Sequence, residues 1–106
     1  MIDETTIRKA ADLLLAAAPP GSKVILFGSY ARGRADERSD LDFLVIEPGA
    51  VSEFDEMVRL GKVLGGLGVG SDVLVASEET FQYWLDTPNT VYYRAAREGR
   101  VYEQVA

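Results

Sequence analysis

Apolar residues along the chain fall into blocks with two alternating periods. Over residues 3–18, Ile7, Ala11, Leu14 and Ala18 recur at helical spacing, which predicts an amphipathic helix with Asp3 or Thr5 as its cap. Pro19-Pro20-Gly21 stops it. Lys23 to Phe27 (KVILF) is a short apolar run before a Gly-Ser turn and predicts a buried strand. A helical turn is expected from Ser29 to near Gly33, then an exposed loop over Arg34 to Ser39. Leu41 to Glu47 has the period of a second strand. Leu41, Phe43 and Val45 face one way, and Asp42, Leu44 and Ile46 the other.

Pro48-Gly49 breaks that strand. Ser52 is the expected N-cap of the next helix, with Asp55 three residues later in the place of a capping-box partner. This helix carries Phe54, Met57, Val58, Val63 and Leu64 and frays into Gly65-Gly66-Leu67-Gly68. A third strand covers Ser71 to Ala76, with Asp72, Leu74 and Ala76 on one face and Val73 and Val75 on the other. Ser77-Glu78-Glu79-Thr80 opens a helix running to about Asp86, and a further helix spans Asn89 to Glu98. Gly99 ends it, and Arg100 to Val105 have the pattern of a last short strand. Helices alternating with strands make the class α/β, with strand directions left open by the pattern. There is no repeat and no long linker, so residues 1–106 are expected to form one domain with a single modest core.

Composition narrows the chemistry. At 47% hydrophobic and 26% charged, the chain has the balance of a soluble globular protein. No apolar run approaches the roughly 18 residues of a membrane span. The opening MIDETTIRKA lacks the layout of a signal peptide. Without cysteine there is no disulfide framework, and a cytoplasmic location away from membranes is expected. The absence of histidine excludes imidazole bases, His-based triads and His/Cys zinc sites. Chemistry must rest on carboxylates, hydroxyls, Lys and Arg. A net charge of −6 argues against tracking along nucleic acid, while a small nucleotide with its own metal ions is compatible.

Asp40 and Asp42 stand one residue apart at the start of the second strand, so they project the same way, roughly 6 to 7 Å apart along the chain. Aspartate is depleted from strands, and a buried carboxylate without a partner is costly. Two of them on one face call for a compensating charge, for which a divalent cation held by oxygen ligands is the simplest candidate.

Gly28-Ser29, ten intervening residues and then Asp40-Leu41-Asp42, with an apolar strand before each half, resembles the signature of the minimal nucleotidyltransferases of the DNA polymerase beta-like superfamily. Many members of that family are the antitoxin half of a pair with a HEPN-domain toxin. The resemblance implies a mixed sheet with helices against one side and the carboxylates at its open edge or face. It implies that Asp40 and Asp42, with Asp72 from a neighbouring strand, hold two Mg²⁺ ions, with Asp72 as the general base. Gly28 and Ser29 would cradle the phosphates of ATP. Of Arg32, Arg34 and Arg38, one or more would clamp the triphosphate, or Asp36 and Glu37 would pair with them locally; Arg32 is the one assigned to nucleotide. Lys62 is a more remote phosphate candidate.

The implied activity is transfer of AMP from ATP to a hydroxyl, a tyrosine of a HEPN toxin, with release of pyrophosphate. Two alternatives stand beside it: a small-molecule hydroxyl as acceptor, and a non-catalytic module that neutralises a partner by occlusion. Phe81, Tyr83, Trp84, Tyr92, Tyr93 and Tyr102 concentrate in the last quarter, mostly as expected core, with an exposed subset suited to a protein contact.

Overall fold

The structure is a computed structural model that describes residues 1–49 and 52–104. The first helix, α1 (Glu4–Ala17), is capped by Asp3, whose carboxylate accepts the Thr6 N–H at 2.8 Å. Strand β1 (Lys23–Phe27) leads into the single turn α2 (Ser29–Arg32), which Gly33 ends in the left-handed conformation. Strand β2 (Leu41–Glu47), helix α3 (Glu53–Val63) and a 3₁₀ turn (Gly65–Leu67) precede β3 (Ser71–Ser77). The chain finishes with α4 (Glu78–Trp84), α5 (Val91–Glu98) and β4 (Arg100–Glu103). Among the described residues, no helix is long and apolar enough to cross a membrane.

The four strands form one mixed sheet in the order β3-β2-β1-β4. β1 runs antiparallel to both β2 and β4, whereas β2 and β3 are parallel, joined by the α3 crossover. The alternation expected along β2 and β3 is the one observed. Leu41, Phe43, Val45 and Val75, with Val24 and Leu26 of β1, meet Ile7, Ala11 and Leu14 of α1 and Leu60 of α3. On the opposite face, Ile25, Phe27, Leu44, Ile46 and Ala76 meet Phe81 of α4 and Ala95 of α5. Helices therefore cover both faces rather than one, and the sheet divides the core in two. The reason is that β1 and β2 are apolar on both faces, and each face must be covered.

Caps, burial and element ends depart from the sequence pattern in places. Ser52 occupies the N-cap of α3, but its side chain makes no capping bond. The acidic first turn of Glu53, Asp55 and Glu56 complements the helix dipole, and Glu53 turns away to accept the Ser77 N–H at 2.9 Å. Phe54 and Val58 are exposed, and Leu60 is the residue that anchors α3. α4 ends at Trp84, two residues before Asp86, while α5 begins at Val91, where Thr90 caps it by accepting the Tyr93 N–H. The expected final strand is seen as far as Glu103; Val105 lies outside the described residues.

Candidate functional site

Phe27, the last residue of β1, pairs with Asp42 of β2, so the turn at Gly28 lies directly against the Asp42 side chain. Gly28 has φ 78°, a conformation that favours glycine, and a Cβ there would run into the Asp42 carboxylate. Gly28 is also the N-cap of α2, which leaves Ser29 as its first helical residue rather than its cap. The Gly-Ser pair thus places the start of a helical turn beside the first carboxylate.

The register of the parallel pair sets Asp42 opposite Asp72. Paired residues on neighbouring strands share a face, so both carboxylates rise from the α5 side of the sheet. Asp40 lies just before β2, with its carboxyl against the backbone of Gly70; a Cβ on Gly70 would come within 2.8 Å of the Asp40 Cγ. The Leu41 N–H donates to the Gly70 carbonyl at 3.0 Å, which draws the start of β3 to that position. Asp40 and Asp72 are exposed and Asp42 half-buried. Burial pushes the Asp42 carboxyl above its usual range, and repulsion from Asp72 and Asp40 adds to the rise. The positive charges of Arg94 and Arg32 oppose it.

These three acids supply hard oxygen donors at the adjoining starts of two parallel strands, the donor chemistry that Mg²⁺ takes. Among the described residues, no three acidic side chains already converge as a metal cage. The donor set fits a divalent cation; a preformed pocket for one is not built.

The arginines separate. Arg32 pairs with Glu98 of α5 at 3.3 Å. Arg34 and Arg38 are exposed in the loop, and Asp36 is not their salt-bridge partner: its carboxylate accepts the Arg38 backbone N–H at 2.8 Å and the Ser39 hydroxyl at 3.3 Å. Lys62 is exposed on α3, across the sheet from Asp42. Arg94 is the residue that motif reading passes over. It lies one turn before Glu98 on α5, far outside the Gly28–Asp42 motif. Its only sequence signal is the four-residue spacing to Glu98, which puts the two on one helix face.

Comparison with known proteins points the same way. A family model described as "Nucleotidyltransferase domain" matches residues 7–98. A Methanocaldococcus jannaschii protein named "Putative protein adenylyltransferase" is 43% identical over 81 residues, covering 74% of this chain and 75% of that one. The crystal structure of a "putative nucleotidyltransferase" from Sulfolobus solfataricus is similar at TM-score 0.59 and 25% identity, covering 74% of this chain and 70% of that one. A crystal structure described as "the toxin-antitoxin with AMP-PNP" is similar at TM-score 0.60 and 22% identity, covering 97% of this chain and 75% of that one. This last likeness is one of fold.

Proposed function

The chain belongs to the nucleotidyltransferase domain family, and from that premise we propose that it transfers AMP from ATP to a protein hydroxyl and thereby acts as the antitoxin of a toxin partner. The observation that carries this reading is the in-register pairing of Asp42 with Asp72, with Gly28 packed on Asp42. In the finer form of the proposal, the partner is a HEPN-domain protein and the receiving group is a tyrosine.

In the transfer, the acceptor oxygen forms a bond to the α-phosphorus of ATP. The bond from that phosphorus to the bridging oxygen breaks, and pyrophosphate leaves with its electron pair. Asp72 takes the proton of the acceptor hydroxyl; its exposed carboxylate is open to a group arriving from solvent. Asp40 and Asp42, with Asp72, would hold Mg²⁺, which would supply positive charge against the triphosphate and lower the pKa of the hydroxyl. Gly28 lets the backbone approach the phosphates, the Ser29 hydroxyl donates to them, and Arg32 adds positive charge from the same turn. The exposure of Asp40 and Asp72 supports a macromolecular acceptor over a small molecule enclosed in a pocket.

The test is intact-mass analysis of the co-purified partner after incubation with Mg·ATP. The expected result is a gain of one or more AMP units on a tyrosine, absent with Asp42→Asn. An unmodified partner that Asp42→Asn still neutralises fully would mean occlusion without chemistry. AMP appearing only on a small-molecule hydroxyl would replace the protein acceptor.

A further inference from the structure

Two of the aromatic residues in the last quarter lie outside the core. Tyr83 is 74% exposed and Trp84 40% exposed. They are neighbours in the last turn of α4, with rings meeting edge to face at 4.9 Å between centroids and 74° between planes. They line an open groove of about 510 Å³ between α3 and α4. Ser77, at the end of β3, also lines it and caps α4 by accepting the Thr80 N–H at 3.1 Å. Glu53 and Glu79 contribute its carboxylates. Glu53 is steadied by the Ser77 N–H, and Glu79 has no ion-pair partner among the described residues. Among the described residues, no lysine or arginine lines the groove.

Two carboxylates beside an exposed aromatic pair complement a cation, and a guanidinium most closely. It binds carboxylates through paired N–H donors and stacks on aromatic faces. The groove lies at the C-terminal ends of β2 and β3, whereas Asp42 and Asp72 stand at their starts. Asp42 and Asp72 each stand five residues before the end of their strand, which puts about 17 Å or more between the two places. The groove is therefore outside the transfer site, at a distance that about six residues of extended chain would span.

We propose that this groove docks an arginine-bearing segment of the acceptor protein, with the guanidinium between the Tyr83–Trp84 pair and the Glu53 and Glu79 carboxylates. The proposal rests on the acceptor being a protein. Tyr, Trp and Arg are the residue types that dominate interface hot spots, and the chain's charge of −6 favours a basic partner segment.

Trp84 is the only tryptophan of the chain, so its emission reports on the groove directly. The experiment titrates the full chain with blocked triarginine amide at low ionic strength, with triglutamate amide as control. Triarginine should change the emission saturably and triglutamate should not. Affinity should fall roughly threefold or more in the Glu53→Gln/Glu79→Gln double variant and in Tyr83→Ala. Unchanged emission, or equal affinity for the wild type and the double variant, overturns the proposal. Mg·ATP binding measured in parallel should be the same in all these proteins. Its loss from the wild type would count against the transferase reading, while peptide binding would still decide the groove.

Discussion

Asp42 sits under more constraint than any other residue of the site. It is half-buried, faces two other carboxylates, and has the Gly28 backbone against it. Asp42→Asn removes the charge and keeps the volume, so transfer should fall by at least about 10²-fold while the melting temperature does not drop. A stable variant that still transfers AMP at the wild-type rate with Mg²⁺ would refute its metal role. Asp72 differs because it is exposed, and the proposal gives it the acceptor side. Asp72→Asn should keep most of its Mg·ATP affinity yet lose about 10² to 10⁴ in single-turnover rate, whereas Asp40→Asn should lose both. Near-normal turnover would reduce Asp72 to a turn residue. Gly70 provides a test with a different mechanism. Its Cβ would collide with the Asp40 carboxyl, and its φ is not in the left-handed region. Gly70→Ala should therefore weaken Mg²⁺-dependent ATP binding through displacement of Asp40, with the fold retained by circular dichroism. Unchanged Mg²⁺ dependence would show that Asp40 tolerates the shift.

Among the elements, the packing of α3 on β2 carries an unusual group. Glu47, the last residue of β2, is fully buried, and among the described residues neither of its carboxyl oxygens has a hydrogen-bond donor. Burial first, and the neighbouring Glu56 carboxylate second, push its pKa from the ordinary 4.5 up to about 7, against the pull of Arg59. Glu56 moves the other way, held low chiefly by its paired hydrogen bonds from Arg59, both at 2.7 Å. Because the folded state holds the Glu47 proton more tightly, its stabilising effect is complete below pH 4.5 and is lost as pH rises through about 7. Glu47→Gln should flatten that decline and, at pH 8, be more stable than wild type by on the order of 1–3 kcal/mol. Denaturant unfolding at pH 5 and pH 8 measures this, and a variant with the wild-type pH slope would exclude a buried proton at Glu47. On α5, Glu98 occupies the Arg32 guanidinium, whereas Arg94 forms no salt bridge among the described residues. Arg94→Ala should weaken ATP binding more than Glu98→Ala, which frees Arg32 for the phosphates. Calorimetric titration of the two variants ranks them, and the reverse order would make the Arg32–Glu98 pair the working arrangement.

For the whole molecule, a net charge of −6 and three facing carboxylates repel a triphosphate until a divalent cation screens them. ATP affinity should therefore collapse in excess EDTA, and tight binding that survives chelation would contradict the proposed site. Much of this molecule could be read from local pattern. The two periods and the Pro/Gly breaks placed every strand to within a residue or two, and alternation along β2 assigned Leu41 and Asp42 to their faces, because side-chain direction in a strand depends only on position along it. The turn at Gly28-Ser29 and the strand that follows Asp40 were legible for the same reason, since a turn and the strand after it are set by neighbouring residues. What only the tertiary structure decided involves segments far apart in the chain. Parallel pairing of β2 with β3 set Asp42 opposite Asp72, the close approach of β3 brought the Gly70 backbone onto Asp40, and α5 carried Arg94 and Glu98 to a turn some sixty residues earlier. The cover on both faces of the sheet and the burial of Glu47 were settled there too, because strand register, desolvation and the field at a carboxyl all depend on which distant groups pack together.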